Sequence, residues 1–226
     1  MKADQGWRSG LMIPRTIYDS DHEQFRESVA KFLEAEAVPH YEAWEDAGQI
    51  DRALWNKAGA QGYLCPTVPQ SYGGVGADYR YNAIVTEEIS RLGLTGVQFP
   101  LHSDIAVPYI INNASEALKE KYLPGCLSGE TVSAIAMTEP GTGSDLQGIK
   151  TTAELDGDHY IINGTKHWIT GGGVSVTNLI FTRFIENGED LGIGGILVDK
   201  GTPGFSFGRV ERAMGLRGIP ETELIF

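Results

Sequence analysis

The chain has 226 residues, of which 41% are hydrophobic and 21% charged, enough to bury a sizeable core in one large domain or two small ones. Its 30 acidic side chains against 18 Lys and Arg give a formal charge of -12, which argues against binding the phosphate backbone of nucleic acid. Residues 1–8 lack the apolar core of a secretory signal, and no run approaches the roughly 20 apolar residues of a membrane span. We therefore predict a cytoplasmic protein in which Cys65 and Cys126, without CxxC spacing, are reduced and mostly buried.

Helical patterns occupy the first half of the chain. We predict five helices, which begin near Ser20, Asp51, Asp78, Ile105 and Ser115. The first starts at the capping-box pattern of residues 20–23 and is ended by Pro39, because proline lacks the N–H group that a helix interior needs. The fifth is predicted to stop before Pro124 for the same reason.

From Thr131 onward, short β-branched and apolar runs alternate with turn residues. We predict strands at residues 131–138, 149–155, 159–162, 165–170, 178–185, 195–199, 205–210 and 223–226. Asp156-Gly157 and Asn163-Gly164 are typical of type I′ hairpin turns. The predicted fold is therefore α+β, with an N-terminal all-α domain at residues 1–130 and a β-barrel-like middle domain at residues 131–226.

The segment from Met137 to Asp145 combines the features of a ligand-binding loop. Pro140 should end the preceding strand, and the glycines after it allow positive φ angles and close approach of a ligand. The hydroxyls of Thr138, Thr142 and Ser144 suit a phosphate or the polar edge of a heterocycle. A polar turn between two strands is the alternative interpretation.

A second candidate lies in the predicted strand at residues 165–170. Because side chains alternate between the faces of a strand, Lys166, Trp168 and Thr170 should share one face, and His167 and Ile169 the other. An indole beside a hydroxyl offers a platform for a flat ring with polar edges. The alternative is a tryptophan that covers the end of a barrel.

These segments together resemble the acyl-CoA dehydrogenase family. Residues 136–148, AMTEPGTGSDLQG, are similar to its first signature, and residues 160–170, YIINGTKHWIT, to its second flavin segment. The run MGLRG at residues 214–218, followed by Glu223-Leu224, is similar to its closing barrel strands. The resemblance extends from about Ile17 to the end of the chain, and residues 34–44 and 134–138 look most like long-chain members.

The resemblance implies that the chain binds FAD. The residues implied to contact it are Ile135, Ala136, Met137, Thr138, Gly143, Ser144, Trp168, Ile169 and Thr170. The Met137 backbone and the Thr138 hydroxyl would meet the polar edge of the isoalloxazine, and Ser144 would reach both the pyrophosphate and the acyl-CoA substrate. Trp168 would lie against the ring and the Thr170 hydroxyl near its N5.

The implied reaction is α,β-dehydrogenation of fatty acyl-CoA thioesters, with electrons passed to an electron-transfer flavoprotein by a homodimer or homotetramer. The catalytic base of the family is a glutamate in a C-terminal helical bundle, and this chain ends at Phe226 without one. We therefore expect an inactive fragment that lacks the base. Glu139 and Asp145 are expected to structure or cap their loop, and Glu87 and Glu88 to face solvent.

Two alternatives to a dehydrogenase remain open: an acyl-CoA oxidase or related flavin monooxygenase with the same fold, and a non-catalytic scaffold. The five histidines lack metal-ligand spacing, so no metal is expected. His102 either lines an acyl channel or is a surface or satisfied histidine. The glycines of residues 73–76 lack the remaining Rossmann fingerprint, which predicts a plain loop.

Overall fold

A computed structural model describes residues 16–226, so the segment examined for a secretory signal lies outside the described residues. Within residues 16–226, six α-helices come first: α1 (Ser20–Glu36), α2 (Tyr41–Ala47), α3 (Arg52–Ala60), α4 (Tyr79–Arg91), α5 (Val107–Asn113) and α6 (Glu116–Ser128). A π-helical turn, Leu101–Ala106, leads directly into α5. No helix in this described part is long and apolar enough to cross a membrane.

Side-chain caps set the starts of the longer helices. Asp51 and Asp78 cap α3 and α4, as predicted, each accepting a hydrogen bond from the backbone N–H two residues later. The predicted Ser20 cap is wrong, because Asp19 caps α1 by accepting from the N–H groups of Asp21 and His22. The Asp19 carboxylate satisfies two of the free donors of the first turn, so the chain enters the helix one residue earlier than predicted.

The predicted end of the last helix is also wrong. α6 continues through Pro124 to Ser128, and Gly129 ends it with a φ of 77°. Leu123 and Cys126 on either side of the proline are fully buried in the helical core, and their burial outweighs the lost backbone hydrogen bond. The short helix α2 was missed because its apolar residues Tyr41 and Trp44 are only partly buried.

Eight strands follow: β1 (Ser133–Ala136), β2 (Thr152–Asp156), β3 (His159–Asn163), β4 (Thr165–Thr170), β5 (Thr177–Glu186), β6 (Glu189–Asp199), β7 (Ser206–Glu211) and β8 (Glu221–Ile225). In one sheet β6 pairs along the whole length of β5, while β1 and β2 pair in parallel with residues 177–180 and 183–185 of β5. β1 and β2 thus share the other edge of β5, and the loop between them leaves and rejoins that edge. β3 extends this sheet beyond β2, and β4, β8 and β7 form a second, antiparallel sheet. The predicted α+β fold is confirmed.

Only one of the two predicted hairpins exists. β2 and β3 form it, but of its turn residues only Gly157 has a positive φ, 65°, which excludes the predicted type I′ turn. The hairpin predicted at Asn163-Gly164 is wrong, because β4 leaves β3 and pairs with β8. Gly164 makes this change of sheet next to Thr151, whose hydroxyl oxygen would clash with a Cβ at position 164.

The helical and β parts meet closely at the loop before β8. The Ile50 N–H donates to the Gly218 carbonyl at 2.8 Å, and a Cβ on Gly96 would lie 2.5 Å from the Gly218 Cα. The Tyr122 hydroxyl also donates to Asp199 at 2.9 Å. These contacts link the helical part to the β part. The predicted domain boundary at residue 130 therefore stays a prediction.

We predict that Gly96→Ala destabilises the protein by roughly 1–3 kcal/mol, because backbone must move to admit the new methyl group. Urea denaturation gives the free energy of unfolding. Gly215→Ala is the matched control, since nothing lies within 4 Å of its Cβ position and its change should stay within about 0.5 kcal/mol. Equal stability of the two variants would show that the Gly96–Gly218 contact is dispensable.

Candidate functional site

The loop between β1 and β2 is closed on itself by Glu139. The Glu139 carboxylate accepts from the backbone N–H of Lys150 at 2.7 Å and of Thr151 at 2.9 Å, so the start of the loop is tied to its end. Glu139 also exchanges two backbone hydrogen bonds with Thr142. Its predicted role in structuring the loop is confirmed.

Lys166 lies beneath this loop and joins it to β4. Its side chain is 0% exposed, and Nζ donates to Glu139 Oε1 at 2.9 Å and to the Met137 carbonyl at 3.0 Å. The backbone N–H of His167 donates to the Thr138 carbonyl at 2.9 Å. The two segments singled out in the sequence are therefore in direct contact.

Burial and hydrogen bonding act in opposite directions on this ion pair. Burial alone would raise the pKa of Glu139, but hydrogen bonds from Thr151, Lys166 and the backbone of Lys150 lower it to about 2. Burial lowers the pKa of Lys166, and the Glu139 carboxylate opposes that change. The Glu139 carboxylate is therefore ionised at neutral pH.

A β-bulge determines where Trp168 points. Lys166 pairs with Leu224 and Ile169 with Thr222, so His167 and Trp168 together lie opposite the single residue between those partners. Lys166 and Ile169 consequently both point into the interior, and Trp168 is 51% exposed with a φ of 58°. The predicted face shared by Lys166 and Trp168 is wrong, because the extra residue shifts the alternation.

The exposed indole is supported from one side. The His167 ring stacks on Trp168 with centroids 5.2 Å apart and an interplanar angle of 29°, and His167 Nε2 lies 3.0 Å from Glu211. A positive φ at a bulky residue costs about 1–3 kcal/mol, so the surrounding contacts must hold Trp168 in place. The sequence did not reveal the role of Glu211, because the pairing of β7 is not local.

Thr170 faces a buried carboxylate on the neighbouring strand. Its hydroxyl donates to Glu221, whose two oxygens lie 2.8 and 2.9 Å away. Burial raises the pKa of Glu221, and the hydrogen bond from Thr170 only partly opposes it. No sequence signal marked Glu221, since its position opposite Thr170 depends on the register of β8.

The tip of the loop carries unpaired donors. Within the described part of the chain, the N–H groups of Gly143, Ser144 and Asp145 have no hydrogen-bond partner, and all three residues are exposed. Gly141 and Gly143 do not have the positive φ angles expected of them, but open space surrounds their Cβ positions. Free N–H groups beside a serine hydroxyl are the groups that bind phosphate oxygens.

The remaining predicted site residues line the base of the loop. Ile135 and Ala136 end β1, and Met137 and Thr138 follow as half-buried residues. The side chains of Ala136 and Ile169 are buried in the β core, so only their backbone atoms are available to a ligand. The Thr138 hydroxyl has no partner among the described residues and remains a free polar group at this edge.

Other acids considered in the sequence are engaged elsewhere. Glu88 was expected to face solvent, which is wrong: it is 2% exposed and paired with Arg26 at 3.1 Å and Arg91 at 2.6 Å. Glu87 pairs with Arg26 at 2.7 Å. Asp145 precedes the 3-10 turn Leu146–Gly148 without a capping bond from its side chain, so the predicted cap is wrong.

His102 proves to be a satisfied core histidine. It is fully buried, with Nδ1 accepting from the Ser133 N–H at 3.1 Å and Nε2 donating to the Cys126 carbonyl at 3.1 Å. Burial lowers the pKa of His102 to about 4, which keeps the ring neutral. Cys65 and Cys126 are free and buried, as predicted, and burial raises the pKa of both thiols.

We predict that Lys166→Met lowers the free energy of unfolding by roughly 3–5 kcal/mol, because it leaves the buried Glu139 carboxylate without its cation. Urea denaturation at neutral pH measures the loss. The control is Lys150→Met, which removes an exposed ammonium from the same loop and should change stability by less than about 0.5 kcal/mol. A loss as small as that of the control would mean that the ion pair does not hold the loop.

The Glu139 carboxylate also predicts a pH dependence. Its folded-state pKa of about 2 lies below the ordinary value of 4.5, so its stabilisation is complete above about pH 4.5 and is lost as the pH falls towards 2. The stability difference between the wild type and Glu139→Gln should therefore shrink from pH 6 to pH 3. Glu154→Gln, at an exposed position on β2, is the control, and parallel curves for both variants would contradict the assignment.

The helical part and the β part of the chain each match a known protein family. Residues 19–130 match the family Acyl-CoA dehydrogenase, N-terminal domain, and residues 134–226 match Acyl-CoA dehydrogenase, middle domain. The long-chain specific acyl-CoA dehydrogenase, mitochondrial, of Sus scrofa is 44% identical over 216 residues, which are 94% of this chain and 50% of that protein.

Solved structures agree with the sequence matches. The acyl-CoA dehydrogenase of Geobacillus kaustophilus superposes with a TM-score of 0.90 at 42% identity, covering 94% of this chain and 57% of the other. An acyl-CoA dehydrogenase from Bacillus anthracis, determined in complex with FAD, has a TM-score of 0.84 at 32% identity, covering 94% and 36%. The chain spans about half the length of the curated relative, and it belongs to the acyl-CoA dehydrogenase family.

Proposed function

We propose that the loop at residues 137–145 and strand β4 bind FAD for the dehydrogenation of fatty acyl-CoA thioesters. The observation that carries the proposal is the exposed Trp168 indole, which the bulge projects beside a loop with free N–H groups. A flat face next to unpaired donors fits a cofactor that has both a planar ring and a pyrophosphate. The FAD complex of the Bacillus anthracis relative supports the choice of cofactor.

The environment of each polar group in the site favours a particular role in binding the cofactor or the substrate. The free N–H groups of Gly143 and Ser144 bind pyrophosphate oxygens, and the Ser144 hydroxyl reaches the acyl-CoA. The Met137 backbone and the Thr138 hydroxyl bind the polar edge of the ring. Lys166 acts indirectly, since its hydrogen bond to the Met137 carbonyl holds that backbone in place.

FAD, when bound here, would supply the two-electron redox chemistry of the dehydrogenation. The protein would orient the ring through the Trp168 indole and the loop backbone. Removal of the α-proton needs an available carboxylate. Glu139 and Glu88 are already held in ion pairs, so we do not assign them that role, and we propose that this chain alone does not turn over substrate.

The wider activity is proposed from the family. We propose transfer of electrons to an electron-transfer flavoprotein and a homo-oligomeric enzyme. The cytoplasmic location stays a prediction, and the Sus scrofa relative is mitochondrial by name.

We predict that the purified chain binds FAD and that Trp168→Ala weakens binding at least about five-fold, the loss of one aromatic stacking contact. Titration of flavin fluorescence and the visible flavin absorbance band both report the complex. Trp44→Ala, in helix α2, is the control and should leave the dissociation constant within about two-fold of the wild type. A wild-type chain that neither copurifies with FAD nor binds it would favour the non-catalytic scaffold.

A further inference from the structure

Thr170 and Glu221 form a directly opposed cross-strand pair on β4 and β8. Both Glu221 oxygens lie within hydrogen-bonding distance of the Thr170 hydroxyl, at 2.8 and 2.9 Å, and Glu221 is only 8% exposed. Among the described residues, no other side chain donates to the Glu221 carboxylate. The hydroxyl is therefore the main group that compensates this buried acid.

Neighbouring charges leave this pair undisturbed. Glu211 is the partner of Glu221 on the other side, in β7. Glu211 is itself paired with His167 at 3.0 Å and with Arg209 at 2.8 Å, and neither of these two side chains is bonded to Glu221 in the structure. The Thr170 proton consequently has a single strong acceptor next to it.

A hydroxyl has one proton and two lone pairs. When the proton of Thr170 is directed to the Glu221 carboxylate, the hydroxyl can only accept hydrogen bonds on its remaining side. The hydroxyl oxygen then accepts a hydrogen bond from a ring N–H, but it repels the lone pair of an unprotonated ring nitrogen. The flavin N5 is such an acceptor when oxidised and carries a proton when reduced.

We propose that Glu221 is a positioning residue that makes Thr170 a hydrogen-bond acceptor towards the flavin, so that the site favours reduced over oxidised FAD. This inference rests on the proposed FAD site. It assigns to Glu221 a function that acts through Thr170 and needs no contact between the carboxylate and the cofactor.

The test compares dissociation constants for oxidised and reduced FAD, measured anaerobically at pH 8 on the whole 226-residue chain. Glu221→Leu removes the acceptor, which frees the Thr170 proton for N5 and should lower the preference for reduced FAD about three- to ten-fold, the value of one hydrogen bond. Glu221→Gln keeps a carbonyl that can accept the proton and should stay within about two-fold of the wild type.

Glu223→Leu is the matched control, because it removes a carboxylate two residues along β8 that is not bonded to Thr170. Thermal denaturation checks folding, and Glu221→Met replaces the leucine variant if that variant does not fold. An unchanged preference in Glu221→Leu, or an equal change in Glu221→Gln or Glu223→Leu, overturns the inference while leaving FAD binding intact. A wild-type chain that binds neither form overturns the proposed function and this inference together.

Discussion

The buried ion pair between Lys166 and Glu139 is the contact on which the candidate site depends. Burying two charges costs several kcal/mol for each ion unless further hydrogen bonds compensate them. Here Glu139 accepts from Lys166 and from the backbone of Lys150 and Thr151, and Lys166 also donates to the Met137 carbonyl. One pair therefore fixes the beginning of the loop, its end and the adjacent strand.

The same pair explains why Trp168 is exposed. Lys166 must point inwards to reach Glu139, and Ile169 must point inwards to fill the β core. A regular strand cannot bury both, because residues three apart lie on opposite faces. The bulge adds one residue between them and turns Trp168 outwards at a φ of 58°, a strained conformation of the kind found at functional sites.

Features that depend on neighbouring residues could be predicted from the sequence, whereas features that depend on distant strands could not. Asp51 and Asp78 were correctly predicted as caps, because a cap needs only the N–H groups of its own helix. The family resemblance assigned the loop and β4 to one flavin site, and hydrogen bonds from Lys166 and His167 bring the two segments into contact. The faces of β4 and the partner of Thr170 were not predictable, since both depend on β8, more than 50 residues away along the chain. The Asn163-Gly164 turn was wrong for the same reason: its hairpin pattern is local, but the competing partner strand is distant.

Glu139 and Glu221 are identical side chains near one site, and their different environments shift their pKa values in opposite directions. Three donors, one of them a cation, surround Glu139, and their hydrogen bonds outweigh burial, so its pKa falls. Glu221 has one neutral donor, Thr170, and burial prevails, so its pKa rises. Glu139 is thereby suited to remain ionised as an anchor. Among the described side chains, Thr170 alone donates to Glu221, and this hydrogen bond directs the hydroxyl proton towards the carboxylate.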